Sequence, residues 1–178
     1  MKIKYKTTLE GAKAPIVLPQ GDWFDLVVPE ETRLHCPISE TLKKSQKNKE
    51  TDYYRNVVTK DKKVSLGIAM QLPKGYEAIV LPRSSTYRKW GFKLANTMGV
   101  IDNSYCGDND IWQAHVTPNK TVTIPAGTAV LQFRIQLTQK ATVWQKLKWL
   151  FWNGNIEFIK VDKLGNEDRG GDGSTDKQ

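Results

Sequence analysis

Short apolar runs rich in Val, Ile and aromatic residues recur along this chain between turn sequences that carry proline or glycine. That alternation limits the fold more than any other feature, because runs of this length bounded by turn signals read as strands. The runs are Ile3 to Thr7, Phe24 to Val28, Val64 to Gln71, Glu77 to Leu81, Ile111 to Val116, Val122 to Ile124, Ala129 to Leu137 and Ile156 to Val161. Between them, Leu72-Pro73-Lys74-Gly75, Thr117-Pro118-Asn119-Lys120 and Ile124-Pro125-Ala126-Gly127 are turns in which Pro sets φ and Gly or Asn tolerates a positive one. With no internal repeat and no second apolar core, the expectation is one all-β domain of mostly antiparallel strands.

The 178 residues are 39% apolar and 10% aromatic, enough for a single core and incompatible with disorder throughout. Lys and Arg number 27 against 19 Asp and Glu, a net charge of +8. Residues 40–63 hold eight of the basic and four of the acidic side chains, so half of the excess sits in one polar, glycine-free stretch. This reads as a solvated insertion, about 35–63, with a short helix around Glu40 to Lys47. Tyr53, Tyr54 and Arg55 either stack on bases or pin the insertion to the body. No run approaches the ~18 apolar residues that span a bilayer, and the Lys-rich start lacks a secretory pattern. The expectation is a cytoplasmic protein with no membrane partner. Cys36 and Cys106 lack CxxC spacing and read as buried or incidental thiols.

Two segments break the strand pattern. Residues 142–153, TVWQKLKWLFWN, put Val143, Leu147 and Leu150 at helical spacing among Trp144, Trp149 and Trp152. They read as a short amphipathic helix or a long hairpin tip, serving as a partner- or membrane-facing element or as a satellite core. The end of the chain, residues 164–178, has no apolar residue after Leu164 and reads as a flexible Gly-rich tail beyond a domain spanning 1–163. Yet Arg169, its glycines and Ser174 and Thr175 have the composition of a segment that orders around phosphates.

Chemistry concentrates in residues 81–109, LPRSSTYRKWGFKLANTMGVIDNSYCGDN. Pro82, Arg83, Ser84 and Ser85 ahead of a short helix to Trp90 read as a capped helix start with an anion-binding guanidinium. From Gly99 to Gly107 the sequence reads as a hairpin turning at Asp102 to Ser104. It sets a carboxylate and the Tyr105 ring on one wall, with backbone groups able to read a flat ring.

The spacing Asn96-x-x-Gly99-x-Ile101-Asp102-x-x-Tyr105-x-Gly107 after Pro82-Arg83-Ser84-Ser85 resembles the second and third motifs of the trimeric dUTP diphosphatases, of bacterial and phage type. Gly21-Asp22-Trp23-Phe24-Asp25-Leu26 is similar to the first motif. Gly127 through Ala129, Leu131 and Gln132 are similar to the fourth, and Arg169-Gly170-Gly171-Asp172-Gly173-Ser174-Thr175 to the fifth. The resemblance implies a jelly-roll-like β-barrel, a homotrimer with interfacial sites, and Mg²⁺-assisted hydrolysis of dUTP to dUMP and pyrophosphate. It makes Asp102 the catalytic base for water attacking the α-phosphorus. Arg83, Ser84, Ser85, Gln132, Arg169, Gly173, Ser174 and Thr175 become phosphate ligands, with the tail closing over the site. Asn96, Gly99, Val100, Ile101 and Tyr105 become the uracil and deoxyribose pocket, and Asp25 a contact to metal-bound water.

In that pocket, backbone groups would match the acceptor, donor, acceptor edge of uracil and leave cytosine unpaired, while Tyr105 would exclude a 2′-hydroxyl. Asp172 stands where the family's fifth motif carries an aromatic, and a tryptophan from 142–153 is a candidate substitute. Two other readings remain. One is a dCTP deaminase-like enzyme, although residues 106–117 lack the Glu that such an enzyme needs. The other is a phage-type regulator that grips a protein partner through its inserts in a nucleotide-dependent way. A sequence-specific nucleic-acid partner is not expected.

Overall fold

Along Ile111–Pro118 every second residue is buried, with Trp112, Ala114 and Val116 inside. This is the two-residue period of a strand with one face on a core. The computed structural model describes residues 1–36, 62–152 and 154–171. The expectations for Glu40 to Lys47, for Tyr53, Tyr54 and Arg55, for Asp172, and for Gly173, Ser174 and Thr175 lie outside the described residues.

The strands are β1 (Lys2–Thr7), β2 (Ile16–Val17), β3 (Phe24–Val27), β4 (Thr32–Leu34), β5 (Lys62–Gln71), β6 (Tyr76–Pro82), β7 (Phe92–Leu94), β8 (Gly99–Asp102), β9 (Ile111–Pro118), β10 (Val122–Ile124), β11 (Ala129–Leu137) and β12 (Glu157–Lys160). Among the described residues two helices join them, α1 (Thr86–Trp90) and α2 (Val143–Leu150). Every apolar run read from the sequence is a strand within two residues at either end. Strands β2, β4 and β7, two or three residues long, lie outside the runs read from the sequence.

One five-stranded sheet has the order β12-β1-β5-β9-β7, a second the order β2-β3-β11-β6-β8, and β10 pairs with β4 in a two-stranded ribbon. Among the described residues all pairings are antiparallel except β1 with β12, where Lys2 to Tyr5 run alongside Glu157 to Lys160. The inner faces of the two large sheets share one core. Trp112 of β9 meets Phe133 of β11 edge-on at 5.2 Å, and Phe158 of β12 meets Phe24 of β3 at 5.2 Å, separations at which such ring pairs attract. Strand β5 bulges between Ser65 and Ala69, where Gly67 at φ +64° donates its N–H to the Ser65 hydroxyl. A Cβ there would lie 2.9 Å from that of Ala12. Cys36 and Cys106 form no disulfide, and Cys36 is fully buried.

Within the 142–153 segment, Val143–Leu150 is a helix, built on a capping box in which Thr142 and Gln145 satisfy each other's backbone N–H groups. No residue of α2 is buried, and Val143 and Leu150 are more than two-thirds exposed. Trp149 does the packing instead, against Tyr76 at 5.7 Å and Trp152 at 4.8 Å.

Candidate active site

The second sheet carries Gln132 and leads directly into Arg83, Ser84 and Ser85, whereas Arg169 lies in the segment after β12. Strand register puts Gln132 of β11 opposite Asp25 of β3 on one side and Leu81 of β6 on the other. Arg83 follows directly after β6 and its Nε donates to Asp25 Oδ1 at 2.9 Å. At a bulge between Ala129 and Leu131, the Val130 carbonyl accepts both the Arg83 N–H at 3.2 Å and the Thr86 hydroxyl at 2.6 Å. The bulge thus pins the Arg-Ser-Ser segment to β11. Gln132 Nε2 reaches the Pro82 carbonyl at 3.5 Å.

Asp25 is 4% exposed. Burial pushes its carboxyl above the ordinary carboxylate range, against the pull of the Arg83 guanidinium. The sequence reading did not pair these two residues. A guanidinium has five donors, so a bond through Nε leaves Arg83 able to grip an anion as well.

The helix after Ser85 needs one correction. It has five residues, and Ser85, though at the N-cap position, has helical backbone angles and makes no side-chain capping bond. The stop at Gly91, with φ +62°, is as expected. Ser84 is exposed and Ser85 half-buried beside Arg83.

The segment expected to form a hairpin wall, Gly99 to Gly107, contains one strand and no hairpin. Strand β8 pairs with β6, matching Gly99 to Val80 and Asp102 to Glu77, and the residues after Asp102 turn away without forming a second limb. Tyr105 donates its N–H back to the Asp102 carbonyl at 3.2 Å, and its hydroxyl donates to the Ile111 carbonyl at 3.0 Å. Gly107 and Asp110 then carry the chain to the other sheet. The physical reason is that β6 already supplies β8 with a partner, so a return limb is not needed. Strand β8 is the sheet's edge, and alternate backbone N–H and C=O groups of an edge strand face away from its neighbour. Asn96 is exposed in the turn before β8, where Thr97 has φ +64°.

Asp102 closes β8. Its Oδ1 accepts the Ser104 N–H at 2.8 Å and the Ser104 hydroxyl, and its Oδ2 pairs with Arg169 Nη1 at 2.5 Å. Partial burial raises its pKa, but the Ser104 hydrogen bonds and the Arg169 guanidinium outweigh this and hold the carboxyl below the ordinary range. Beside it opens a cleft of about 510 Å³ between the Lys74–Gly75 turn, Lys140, Thr142 and Gln145. No tryptophan lines it.

The structure therefore sorts the predicted residues into two groups. Asp25, Arg83 and Gln132 gather at one end of β6, and Asp102, Tyr105 and Arg169 at the other. From Glu77, opposite Asp102, to Arg83 is six residues of extended chain, about 20 Å. What the sequence reading missed lies around Asp102. Ser104 was seen as a turn residue, and Asp108, Asn109 and Asp110 were passed over. The acid-rich GDND stretch facing the NEDR of the tail was the available signal.

A carboxylate held ionised, with guanidinium groups for anions, suits base-assisted attack of water on a phosphate. Known proteins narrow the class. A family model described as dUTPase matches residues 50–146. The SPbeta prophage-derived deoxyuridine 5′-triphosphate nucleotidohydrolase YosS of Bacillus subtilis strain 168 is 38% identical over 175 residues, 98% of each chain. The dUTPase of Streptococcus mutans superposes with a TM-score of 0.57 at 20% identity, over 78% of this chain and 98% of that one. A mutant dUTPase from phage phi11 of S. aureus, described for its coordination of a structural Mg(II) ion, does so with a TM-score of 0.58 at 14% identity, over 79% and 94%. The chain belongs to the dUTPase family.

Proposed function

We infer that the chain hydrolyses dUTP to dUMP and pyrophosphate, with Asp102 as the base for water attacking the α-phosphorus. The observation that carries this reading is Asp102 itself, kept ionised by Ser104 and Arg169 at the end of an edge strand in a dUTPase-family chain. A base must be unprotonated at working pH and within hydrogen-bond reach of its water. Outward-facing backbone groups of Gly99, Val100 and Ile101, with Asn96, would read the uracil edge, and Tyr105 would bear on the deoxyribose. A site built to pair with uracil rejects cytosine because its own buried groups would go unsatisfied.

Arg83, Ser84, Ser85 and Gln132 would hold the phosphates, with Asp25 orienting the Arg83 fork. Arg169, followed by Gly173, Ser174 and Thr175, would close over them from the tail. The ~20 Å between the Arg83 and Asp102 groups exceeds the length of a triphosphate, which supports a site completed by two chains of a cyclic homotrimer.

Among the described residues no three His, Cys, Asp or Glu side chains form a metal cluster. Magnesium prefers phosphate oxygens and its own waters, and Asp25 would accept from one of those waters. Bound there, the ion would neutralise charge developing on the pyrophosphate.

The test is pyrophosphate release with Mg²⁺ from dUTP, dCTP, dTTP and UTP in parallel. Turnover of dUTP alone, falling at least about a hundredfold in Asp102→Asn, is expected. Silence on all four nucleotides would end this reading.

A further inference from the structure

Residues 164–170 are tied to the loop Cys106–Asp110 by a reciprocal set of hydrogen bonds. Asp110, 1% exposed, accepts the N–H of Gly107 at 2.8 Å, of Arg169 at 2.9 Å and of Gly170 at 3.1 Å. Asp108 accepts from the Leu164 N–H at 2.9 Å, and Asn166 Nδ2 donates to the Cys106 carbonyl at 3.1 Å. In the other direction, Asp168 accepts from the backbone and side-chain N–H groups of Asn109 at 2.8 and 2.7 Å. The tail backbone lies against Gly107 so closely that a Cβ there would be 2.5 Å from Asp168 Cα.

We propose that Asp110 is a positioning residue: it clamps the root of the tail through the Arg169 and Gly170 amides so that the Arg169 side chain bears on Asp102 of the same chain. The proposal rests on Asp102 being the base of the reaction above. A buried carboxylate bonded to two consecutive tail amides fixes where that backbone starts. Arg169 is itself exposed, and its approach to Asp102 needs a fixed root. Misplacement by an ångström is costly where a group must meet a developing charge. Gly107 serves the same clamp by having no side chain.

The pH profile separates positioning from mere structure. The charged and titratable groups around Asp102 are Arg169 from the tail, Glu77 opposite it on β6, Cys106 and Asp110 on the loop, and Lys74 and Lys140 across the cleft. Removing the negative charge of Asp110 alone would ease ionisation of Asp102 and move the acid limb of kcat/KM to lower pH. Losing Arg169 from Asp102 moves it to higher pH.

The experiment measures dUTP hydrolysis against pH, and amide hydrogen exchange of residues 164–170, for the full chain and for Asp110→Asn, Gly107→Ala and Arg169→Ala. Expected are faster exchange at the Arg169 and Gly170 amides in the first two variants, an acid limb moved up in pH, and kcat/KM lowered by about tenfold to a hundredfold. Asp110→Asn should add nothing in an Arg169→Ala background. An acid limb that stays or moves down, or unchanged exchange at those amides, overturns the proposal while leaving dUTP hydrolysis standing. If the unaltered chain hydrolyses no dUTP, the function fails, and with it the proposal's role for Asp102.

Discussion

Arg83 and Asp102 stand at opposite ends of strand β6, Asp102 paired with Glu77 near its start and Arg83 directly after Pro82 at its end. Arg169 lies beside Asp102, not beside Arg83. A nucleotide whose α-phosphate sits at one residue cannot have its phosphate tail at the other within a single chain. The division sets which defects two chains can repair for each other.

Co-expression of Asp102→Asn with Arg83→Ala should restore about a quarter of the sites, the fraction expected where each site draws one group from each of two randomly mixed chains of a ring. Asp102→Asn with Arg169→Ala should restore none, since both lie in one half. Each mixture is read as pyrophosphate release from dUTP. Recovery in the second mixture would show that Arg169 serves a neighbour.

Ser104 donates to Asp102 through both its backbone and its side chain. The pKa of Asp102 is depressed, so its ionised form persists down to pH values below the ordinary carboxylate range and activity is lost as pH falls through that depressed value. Ser104→Ala removes one donor and should shift the acid limb of kcat/KM upward, with little change at neutral pH. An unmoved limb would mean that the Ser104 hydroxyl does not act on the base.

Asp25 makes the opposite prediction for stability. Its pKa is raised in the folded chain, so the fold holds that proton more tightly than the unfolded chain does, and the stability this provides is lost as pH rises through the folded value. Asp25→Asn should therefore gain on the unaltered chain in melting temperature from acid to neutral pH, while dUTP turnover falls because Arg83 loses its orienting carboxylate. Such a trade marks a group kept for function. A lower melting temperature at neutral pH would contradict it.

Among the tryptophans of 142–153, Trp149 packs on Tyr76 and Trp152, whereas Trp144 is 76% exposed. Trp149→Ala should cost about 1–3 kcal/mol, below the figure for a fully buried ring, and Trp144→Ala within about 0.5 kcal/mol. Denaturant titration reads both. Neither should change the KM for dUTP, since no tryptophan lines the cleft at Asp102.

Much of this molecule was legible in its sequence. Strands such as Ala129–Leu137 and Ile111–Pro118 carry their burial period locally, and turn residues such as Gly75 and Gly127 announce their positive φ by their identity. Asp102, Arg83, Gln132 and Arg169 were nominated by the resemblance of their motifs to those of the dUTP diphosphatases, which is carried by the chain alone. What spacing cannot hold is partnership between distant residues. That β8 leans on β6 and not on a return limb, that Asp25 turns to Arg83, and that Asp110 holds amides 59 and 60 residues away follow from which backbone groups find themselves buried and in need of a partner after collapse. Composition reads residues 164–178 as a flexible tail because it weighs apolar burial, whereas residues 164–170 are held by hydrogen bonds, whose partners exist only once the two sheets have closed on one another.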